Sequence, residues 1–138
     1  MKNAKSPRVV LDTNVFISAL VFGGKPREVT ELLVDTITVV YAHEILTEIR
    51  RIIHLKFPAF NEDLERLEKL LERDALRVEL GSSLVTISRD PDDNKFIETA
   101  IIGDCQYIVS GDKDLLAIGS YKNIRIIKPA EFLELIHI

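Results

Sequence analysis

The stretch VVLDTNVFISAL, residues 9–20, decides the fold class of this chain. It begins with β-branched and apolar residues, which predict a buried strand, and continues with apolar residues at helical spacing. Asp12 lies at the junction of the two elements. Thr13 and Asn14 are predicted to be the cap residues of a helix at 13–22. A carboxylate at the end of a buried strand needs a physical reason, and either a helix cap or a ligand site would supply one.

Strands and helices alternate along the rest of the chain. Further strands are predicted at 36–42, 84–87, 107–110 and 124–127, with 76–80 as a candidate edge element, and helices at 26–35, 43–57, 61–75, 94–102 and 129–136. Strands separated by helices pair in parallel through right-handed crossovers, and the helices cover both faces of the sheet. The expected fold class is therefore α/β, in a single domain at 1–138.

Composition and charge indicate where in the cell the protein works, but they do not decide whether it binds nucleic acid. The chain has 18 basic and 22 acidic residues, so that four acids in a metal site would leave the remaining charges balanced. A net charge of −4 therefore does not exclude nucleic acid. The single cysteine, Cys105, excludes an internal disulfide and fits a reducing cytosol. The chain has no apolar run of membrane-spanning length and no signal peptide pattern, so we expect a cytoplasmic protein.

Four acidic residues fall where this topology brings separate segments together. Asp12 and Asp112 follow the first and fourth strands, Asp93 opens the helix after the third strand, and Glu48 lies on the helix after the second. Glu48 is about 100° from the apolar face of its helix, so it can turn into a cleft. Ligand sites in such sheets lie beyond the carboxyl ends of the strands, where the strand order reverses. Each acid alone could be a cap, a turn residue or a solvated charge; the prediction depends on their combination.

Carboxylates that meet in one pocket require a cation. They repel one another, and without a partner their pKa values would rise until some were protonated. The three histidines are scattered along the chain, at 43, 54 and 137, so they predict no shared nitrogen site. A site made only of oxygen atoms favours a hard divalent cation, Mg²⁺ or Mn²⁺, in one or two copies. The reaction class that follows is metal-assisted hydrolysis of a phosphodiester bond.

Five segments in a fixed order carry a resemblance to a known family. They are VVLDTNVFISAL, EILTEI, DPDDNKFIETA, YIVSGDKDLL and IIKPAEFLELI. With these segments the chain resembles a PIN-domain nuclease of the toxin-type (VapC-like) branch of prokaryotic toxin–antitoxin systems. The resemblance implies a three-layer α/β/α sandwich with a parallel five-stranded sheet in the order 3-2-1-4-5. It also implies dependence on Mg²⁺ or Mn²⁺ and endonucleolytic cleavage of RNA.

The resemblance also assigns roles to individual residues. The catalytic and metal-binding acids of the family correspond to Asp12, Glu48, Asp93 and Asp112, and the family spacing selects Asp93 over Asp90 and Asp92. Asp12, Asp93 and Asp112 are expected to hold the metal, while Glu48 completes the site or orients the attacking water. Thr13, Asn14 and Ser110 are expected to orient these carboxylates through hydrogen bonds. Asp114 is expected to assist the metal as the secondary acid beside Asp112.

The expected partners are an RNA substrate, a cognate antitoxin protein and a second copy of the chain, with no membrane. RNA would be contacted by basic residues around the acids: Arg50, Arg51, Arg89, Lys95 and Lys113. The helical hairpin at 43–75, with FPAF at its tip, is the candidate surface for a homodimer or an antitoxin. That surface is a hypothesis, because the same apolar residues could simply close the local core.

Two other functions remain open from the sequence. A haloacid-dehalogenase-like phosphatase also begins with an aspartate at a strand end, but its chemistry needs a second aspartate two residues later, where this chain has Asn14. A non-catalytic PIN module would bind metal or a partner through the same acids without turnover. A phosphoaspartate trapped on Asp12 would identify the phosphatase, whereas loss of cleavage in Asp12→Asn would distinguish a nuclease from a binding module.

Overall fold

The computed structural model describes residues 2–81 and 91–136. The predicted strand at 84–87 and the residues Arg89 and Asp90 lie outside the described residues. None of the helices in the described ranges combines the length and the apolarity that a bilayer crossing requires.

Six strands and seven α-helices make up the described part of the chain. The strands are β1 (Arg8–Leu11), β2 (Thr38–Ala42), β3 (Leu76–Val78), β4 (Tyr107–Val109), β5 (Ser120–Tyr121) and β6 (Ile124–Ile127). The helices are α1 (Thr13–Val21), α2 (Gly24–Glu31), α3 (His43–Lys56), α4 (Asn61–Asp74), α5 (Asn94–Ile102), α6 (Lys113–Ile118) and α7 (Pro129–Ile136). Two short 3₁₀ helices, Pro58–Phe60 and Pro91–Asp93, lead into α4 and α5.

The sheet has the order β3-β2-β1-β4-β6-β5. All neighbours pair in parallel except the edge strand β5, which pairs antiparallel with β6. The predicted α/β class and the parallel order 3-2-1-4-5 are thus confirmed, with β6 as the fifth parallel strand and β5 as an addition. The strand beside β2 is β3, in the segment predicted as an edge element.

The strand order reverses between β1 and β4, and this reversal fixes where a site can form. β1 is the central strand: Val9, Val10 and Leu11 are fully buried, because it has a neighbour on both sides and helices over the sheet. The chain leaves β1 into α1 on one side of the reversal and leaves β4 into α6 on the other. Both helix N-termini therefore meet at the same edge of the sheet.

The ends of three helices differ from the prediction. The cap of α1 is Asp12 and not Thr13 or Asn14, because its own side chain accepts the hydrogen bond from Val15 N–H. α2 ends at Glu31 instead of near residue 35, and the remaining residues form turns. α4 was expected to begin with a cap at Asn61, but no side chain caps it, because a 3₁₀ turn runs directly into its first residue.

Candidate metal centre

Asp12 is held at the carboxyl end of β1 by two hydrogen bonds to its side chain. Its backbone is extended, with φ −70° and ψ 163°, and its Oδ1 accepts from the N–H of Val15 at 2.9 Å. Its Oδ2 accepts from the hydroxyl of Ser110, which follows β4. The residue is 3% exposed. Asp12 therefore caps a helix and also lies at the site; the two explanations offered by the sequence hold together.

Asp112 repeats this arrangement at the end of β4. It is the N-cap of α6, and its Oδ2 accepts from the N–H of Leu115 at 3.0 Å. Its own N–H donates to the hydroxyl oxygen of Ser110 at 2.9 Å. Because that hydroxyl also donates to Asp12, one buried serine links the two acids across neighbouring strands.

Three carboxylates approach one another closely enough to share a cation. Oxygen atoms of Asp93, Asp112 and Asp114 all lie within 4.8 Å of one another. Asp93 occupies the N-cap position of α5, but its side chain makes no capping bond there. Asp114, expected to assist the metal, thus has a carboxylate oxygen within the same 4.8 Å of Asp93 and Asp112. In sequence this residue differs little from an ordinary acid in the first turn of a helix.

Glu48 reaches the site from the flank of α3. Its Oε1 accepts from the hydroxyl of Thr13, and its Oε2 accepts from Lys95 Nζ at 3.1 Å. Only about a quarter of the side chain is exposed, at 25%. Glu48, predicted to lie on the flank of its helix, therefore points into the cleft, because partners from α1 and α5 hold its carboxylate there.

The four predicted acids line one cavity of about 200 Å³. The lining residues are Asp12, Thr13, Asn14, Glu48, Ile52, Asp92, Asp93, Lys95, Phe96 and Asp112. A larger cavity of about 520 Å³ lies between α1, α2 and α4 and is mostly apolar, with Phe16, Leu33 and Leu67 in its wall. The smaller cavity is the candidate site, because ionisable groups from separate segments meet there.

The cavity has a strong excess of negative charge. Five of its lining residues are acids, whereas Lys95 is the only base among the described residues in the lining. Burial raises the pKa of Asp12 above its ordinary value of 3.8. Hydrogen bonds from Ser110, Val15 and Asn14 oppose that rise in pKa, and the charge of Asp112 adds to it. A cation in the cavity would reverse the balance by favouring the charged carboxylates.

These donors fit a hard divalent cation. They are all carboxylate oxygens, which suit Mg²⁺ or Mn²⁺, and the described residues bring no histidine or cysteine into the cavity lining. The spacing of Asp93, Asp112 and Asp114 allows one ion to be shared. When bound, such an ion supplies positive charge to the oxygens of a phosphoryl group.

The residues predicted around the acids take different positions. Asn14 lines the cavity, and Thr13 and Ser110 donate hydrogen bonds to two of the acids. Arg50 instead binds Glu68 of α4, with its Nε 2.7 Å from a carboxylate oxygen. Arg51 and Lys113 are exposed. Sequence reasoning did not place Ile52 and Phe96 in the wall of the cavity, although each lies on a helix that carries a predicted site residue.

Comparison with known proteins assigns the chain to a family. Residues 8–114 match the family model described as PIN domain. The chain is 31% identical over 140 residues to Uncharacterized protein MJ1680 of Methanocaldococcus jannaschii, across 92% of this chain and 90% of that protein. Its fold is similar to that in the crystal structure of VapBC2 from Rickettsia felis bound to a DNA fragment from their promoter. The TM-score is 0.59 and the identity 12%, over 86% of this chain and 96% of that one. Since the family match covers most of the chain, the protein is a member of the PIN-domain family.

Proposed function

We propose that this protein is a metal-dependent endoribonuclease that hydrolyses phosphodiester bonds in RNA. One observation carries the proposal: acids from four separate segments line a single cavity at the strand-order reversal. PIN domains are generally nucleases, and an acidic cavity in such a domain is suited to a cation that binds phosphate. We propose Mg²⁺ or Mn²⁺, in one or two copies, as the cofactor.

The acids divide into two groups with different tasks. Asp93 and Asp112, assisted by Asp114, would hold the cation, since their oxygens lie close together. Asp12 would complete this group from the interior, fixed by Ser110. Glu48 would orient the attacking water, because Thr13 and Lys95 hold its carboxylate in the same cavity. A carboxylate fixed in this way can accept a hydrogen bond from water and align it with the phosphorus atom.

RNA would approach across the exposed basic residues near the acids. Arg51 on α3 and Lys113 on α6 are exposed and can contact phosphates. Arg50 is a weaker candidate for an RNA contact, because its guanidinium is already bound to Glu68. We therefore expect Arg51→Gln and Lys113→Gln to weaken RNA binding more than Arg50→Gln.

We further propose that the protein is the toxin component of a type II toxin–antitoxin pair in the cytoplasm. The support is its fold, which is similar to that of VapBC2 from Rickettsia felis. We propose a homodimer through the outer face of α3, where Leu55 is 72% exposed. Just after α3, the ring of Phe57 meets the ring of Phe22 edge-on, and Phe22 is 75% exposed. Light scattering on wild type and Leu55→Asp tests this: we expect a dimer and a monomer, respectively, and a monomeric wild type would contradict it.

The test of the nuclease proposal compares two glutamates of one helix. Glu48 lines the cavity, whereas Glu44 lies one turn earlier in α3 and is exposed. With a labelled RNA pool and Mg²⁺, we expect wild type and Glu44→Gln to cleave, Glu48→Gln to cleave at least about 100-fold more slowly, and EDTA to abolish cleavage. Sequencing of RNA ends in cells that express wild type or Glu48→Gln then identifies the target.

The same experiment separates the other two functions. A binding-only module would show Mg²⁺-dependent stabilisation but no cleavage by any variant. A phosphatase would release inorganic phosphate from a monoester and form a phosphoaspartate, yet the position two residues after Asp12 is Asn14, whose side chain is an amide. Cleavage that persists unchanged in Glu48→Gln would contradict the proposed site.

A further inference from the structure

Lys95 occupies a position that helix stability does not explain. It is the second residue of α5, in the first turn, where the positive end of the helix dipole disfavours a basic side chain. Its side chain is nevertheless only 18% exposed and lies in the acidic cavity. A cation kept at the unfavourable end of a helix and partly removed from water must be stabilised by its surroundings.

Three contacts hold the ammonium group of Lys95 in place. Nζ donates to Glu48 Oε2 at 3.1 Å and to the backbone carbonyl of Asp92 at 2.9 Å. It also lies 4.8 Å from the centre of the Phe96 ring, within the range of a cation–π contact. Lys113, at the start of α6, is exposed and provides the contrast. Lys95 is therefore a fixed charge within the cavity, whereas Lys113 is a charge on the surface.

The contacts of Glu48 indicate what this fixed charge does. One carboxylate oxygen accepts from Thr13 of α1 and the other from Lys95 of α5, so that two helices orient a side chain carried by a third. The cation group formed by Asp93, Asp112 and Asp114 does not include Glu48. Without Lys95, Glu48 would keep one hydrogen bond and would face several carboxylates with no compensating base among the described lining residues.

We propose that Lys95 is a positioning residue that acts through Glu48, holding its carboxylate toward the attacking water instead of contacting RNA. This inference rests on the proposed nuclease function. Two of the three N–H groups of the ammonium are already used, by Glu48 and by the Asp92 carbonyl. A role in RNA binding would depend on the third N–H alone.

The inference is tested by a double-mutant cycle with Lys95→Met, Glu48→Gln and the combined variant. On an RNA oligonucleotide that wild type cleaves, we expect Lys95→Met to lower kcat by about 10- to 100-fold, the usual range for a residue that orients a catalytic group. KM should change by less than about threefold, because substrate binding is not the affected step. The combined variant should be no slower than Glu48→Gln, since Lys95 acts through the carboxylate charge already removed.

Two further variants and one measurement without turnover complete the test. Lys95→Arg keeps a cation beside Glu48 and should retain most of kcat. The matched control is Lys25→Met, at the exposed second residue of α2, which should leave kcat unchanged. In EDTA, Lys95→Met should lower Tm when it is introduced into wild type but not when it is introduced into Glu48→Gln. This unfolding measurement needs neither metal nor RNA, so it reports the pairing of the two side chains directly.

The outcomes that overturn the inference are distinct from those that overturn the nuclease proposal. Three results together would assign Lys95 to a phosphate contact. KM would rise, the slope of log K against log salt for RNA binding would fall by about one, and the loss of kcat in Lys95→Met would add to that in Glu48→Gln. Unchanged kcat in Lys95→Met would remove the inference while wild-type cleavage stands. Absence of cleavage by wild type overturns the nuclease proposal, and this inference with it.

Discussion

The β1–α1 and β4–α6 junctions are built alike but produce two different acids. In each, an aspartate follows a parallel strand in extended backbone and caps the next helix through the N–H three residues on. Leu11 and Val109, the last residues of the two strands, are partners in the sheet register. Asp12 is nevertheless buried at 3% exposure, whereas Asp112 is half-buried and lies close to two other carboxylates.

The difference shows that burial, and not the local motif, decides what each carboxylate can do. Both oxygens of Asp12 accept hydrogen bonds from protein groups, and burial raises its pKa. Asp112 gives one oxygen to its helix and has Asp93 and Asp114 nearby. We infer that Asp12 anchors the site from inside and that Asp112 presents its charge to the ligand.

Removing the charge of Asp12 or of Asp112 should have the largest effect on RNA cleavage. We expect Asp12→Asn and Asp112→Asn each to lower Mg²⁺-dependent RNA cleavage by about 1,000-fold or more. The reason is that both carboxylates stabilise the positive charge of the bound cation, on which cleavage depends. Asparagine keeps the capping oxygen, so circular dichroism should show an unchanged fold. The double variant should be little worse than either single one, as for residues that act as a unit.

If Asp112→Asn lost cleavage while Asp12→Asn kept it, the anchoring role of Asp12 would be wrong. That result would leave Asp12 as a helix cap alone. Asp63 lies on α4 outside the acidic cavity, with its side chain 41% exposed, and gives the control: Asp63→Asn should cleave as wild type does.

Ser110 links the two junctions, and its removal should have the next largest effect. Its hydroxyl donates to Asp12 and accepts from the N–H of Asp112, and the residue is fully buried. Ser110→Ala should lower cleavage by about 10- to 100-fold. It should also lower the free energy of unfolding by about 1–3 kcal/mol, because buried polar groups lose a partner. Ser18→Ala, in α1, controls for the loss of a serine and should change cleavage little.

The sequence predicted the junctions well because strand, cap and helix follow from local pattern. The alternation of strands and helices predicted a parallel α/β sheet, and the family resemblance implied its order. That order put Asp12 and Asp112 at one edge of the sheet. Topology alone predicted that the four acids converge, and all four line one cavity. Local pattern also explains why Asp12 could be read as a cap or as a ligand: both depend on the same position.

The remaining features depend on contacts between distant segments, which local pattern does not contain. The pairing of Glu48 with Thr13 and Lys95 joins three helices. The closeness of Asp114 to Asp93 depends on how α5 and α6 meet. The apolar cavity between α1, α2 and α4 depends on how three helices pack, and each of them alone shows only an ordinary apolar stripe.

The pH dependence of the free energy of unfolding should also differ between the two junctions, although this effect is smaller than the effects on cleavage. Because the folded-state pKa of Asp12 is raised above 3.8, the folded protein binds more protons than the unfolded chain between that value and the raised one. The contribution of Asp12 to the free energy of unfolding is therefore fully present below pH 3.8 and is lost as the pH rises through the folded pKa.

Denaturant unfolding in EDTA at neutral pH measures this effect. Asp12→Asn removes the buried charge, so it should unfold at a higher denaturant concentration than wild type, with the difference shrinking on acidification. Asp112→Asn should change stability less, because that residue is only half-buried. Added Mg²⁺ should stabilise wild type more than Asp12→Asn, since the ion binds the folded state. Equal unfolding of Asp12→Asn and wild type at all pH values would contradict the burial argument.

The smallest expected effect concerns a third junction, where Asp92 and Asp93 precede α5. Asp93 is 8% exposed and close to Asp112 and Asp114, whereas its neighbour Asp92 is exposed, although both line the cavity. An exposed carboxylate is well solvated, so its charge acts weakly on a buried ligand. Asp92→Asn should therefore change cleavage by less than about threefold, while Asp93→Asn should match Asp112→Asn. Cleavage assays on the two variants at equal Mg²⁺ compare them directly. If Asp92→Asn were the more damaging change, the ligand would be held by the outer carboxylate, and burial would not be what distinguishes the acids of this site.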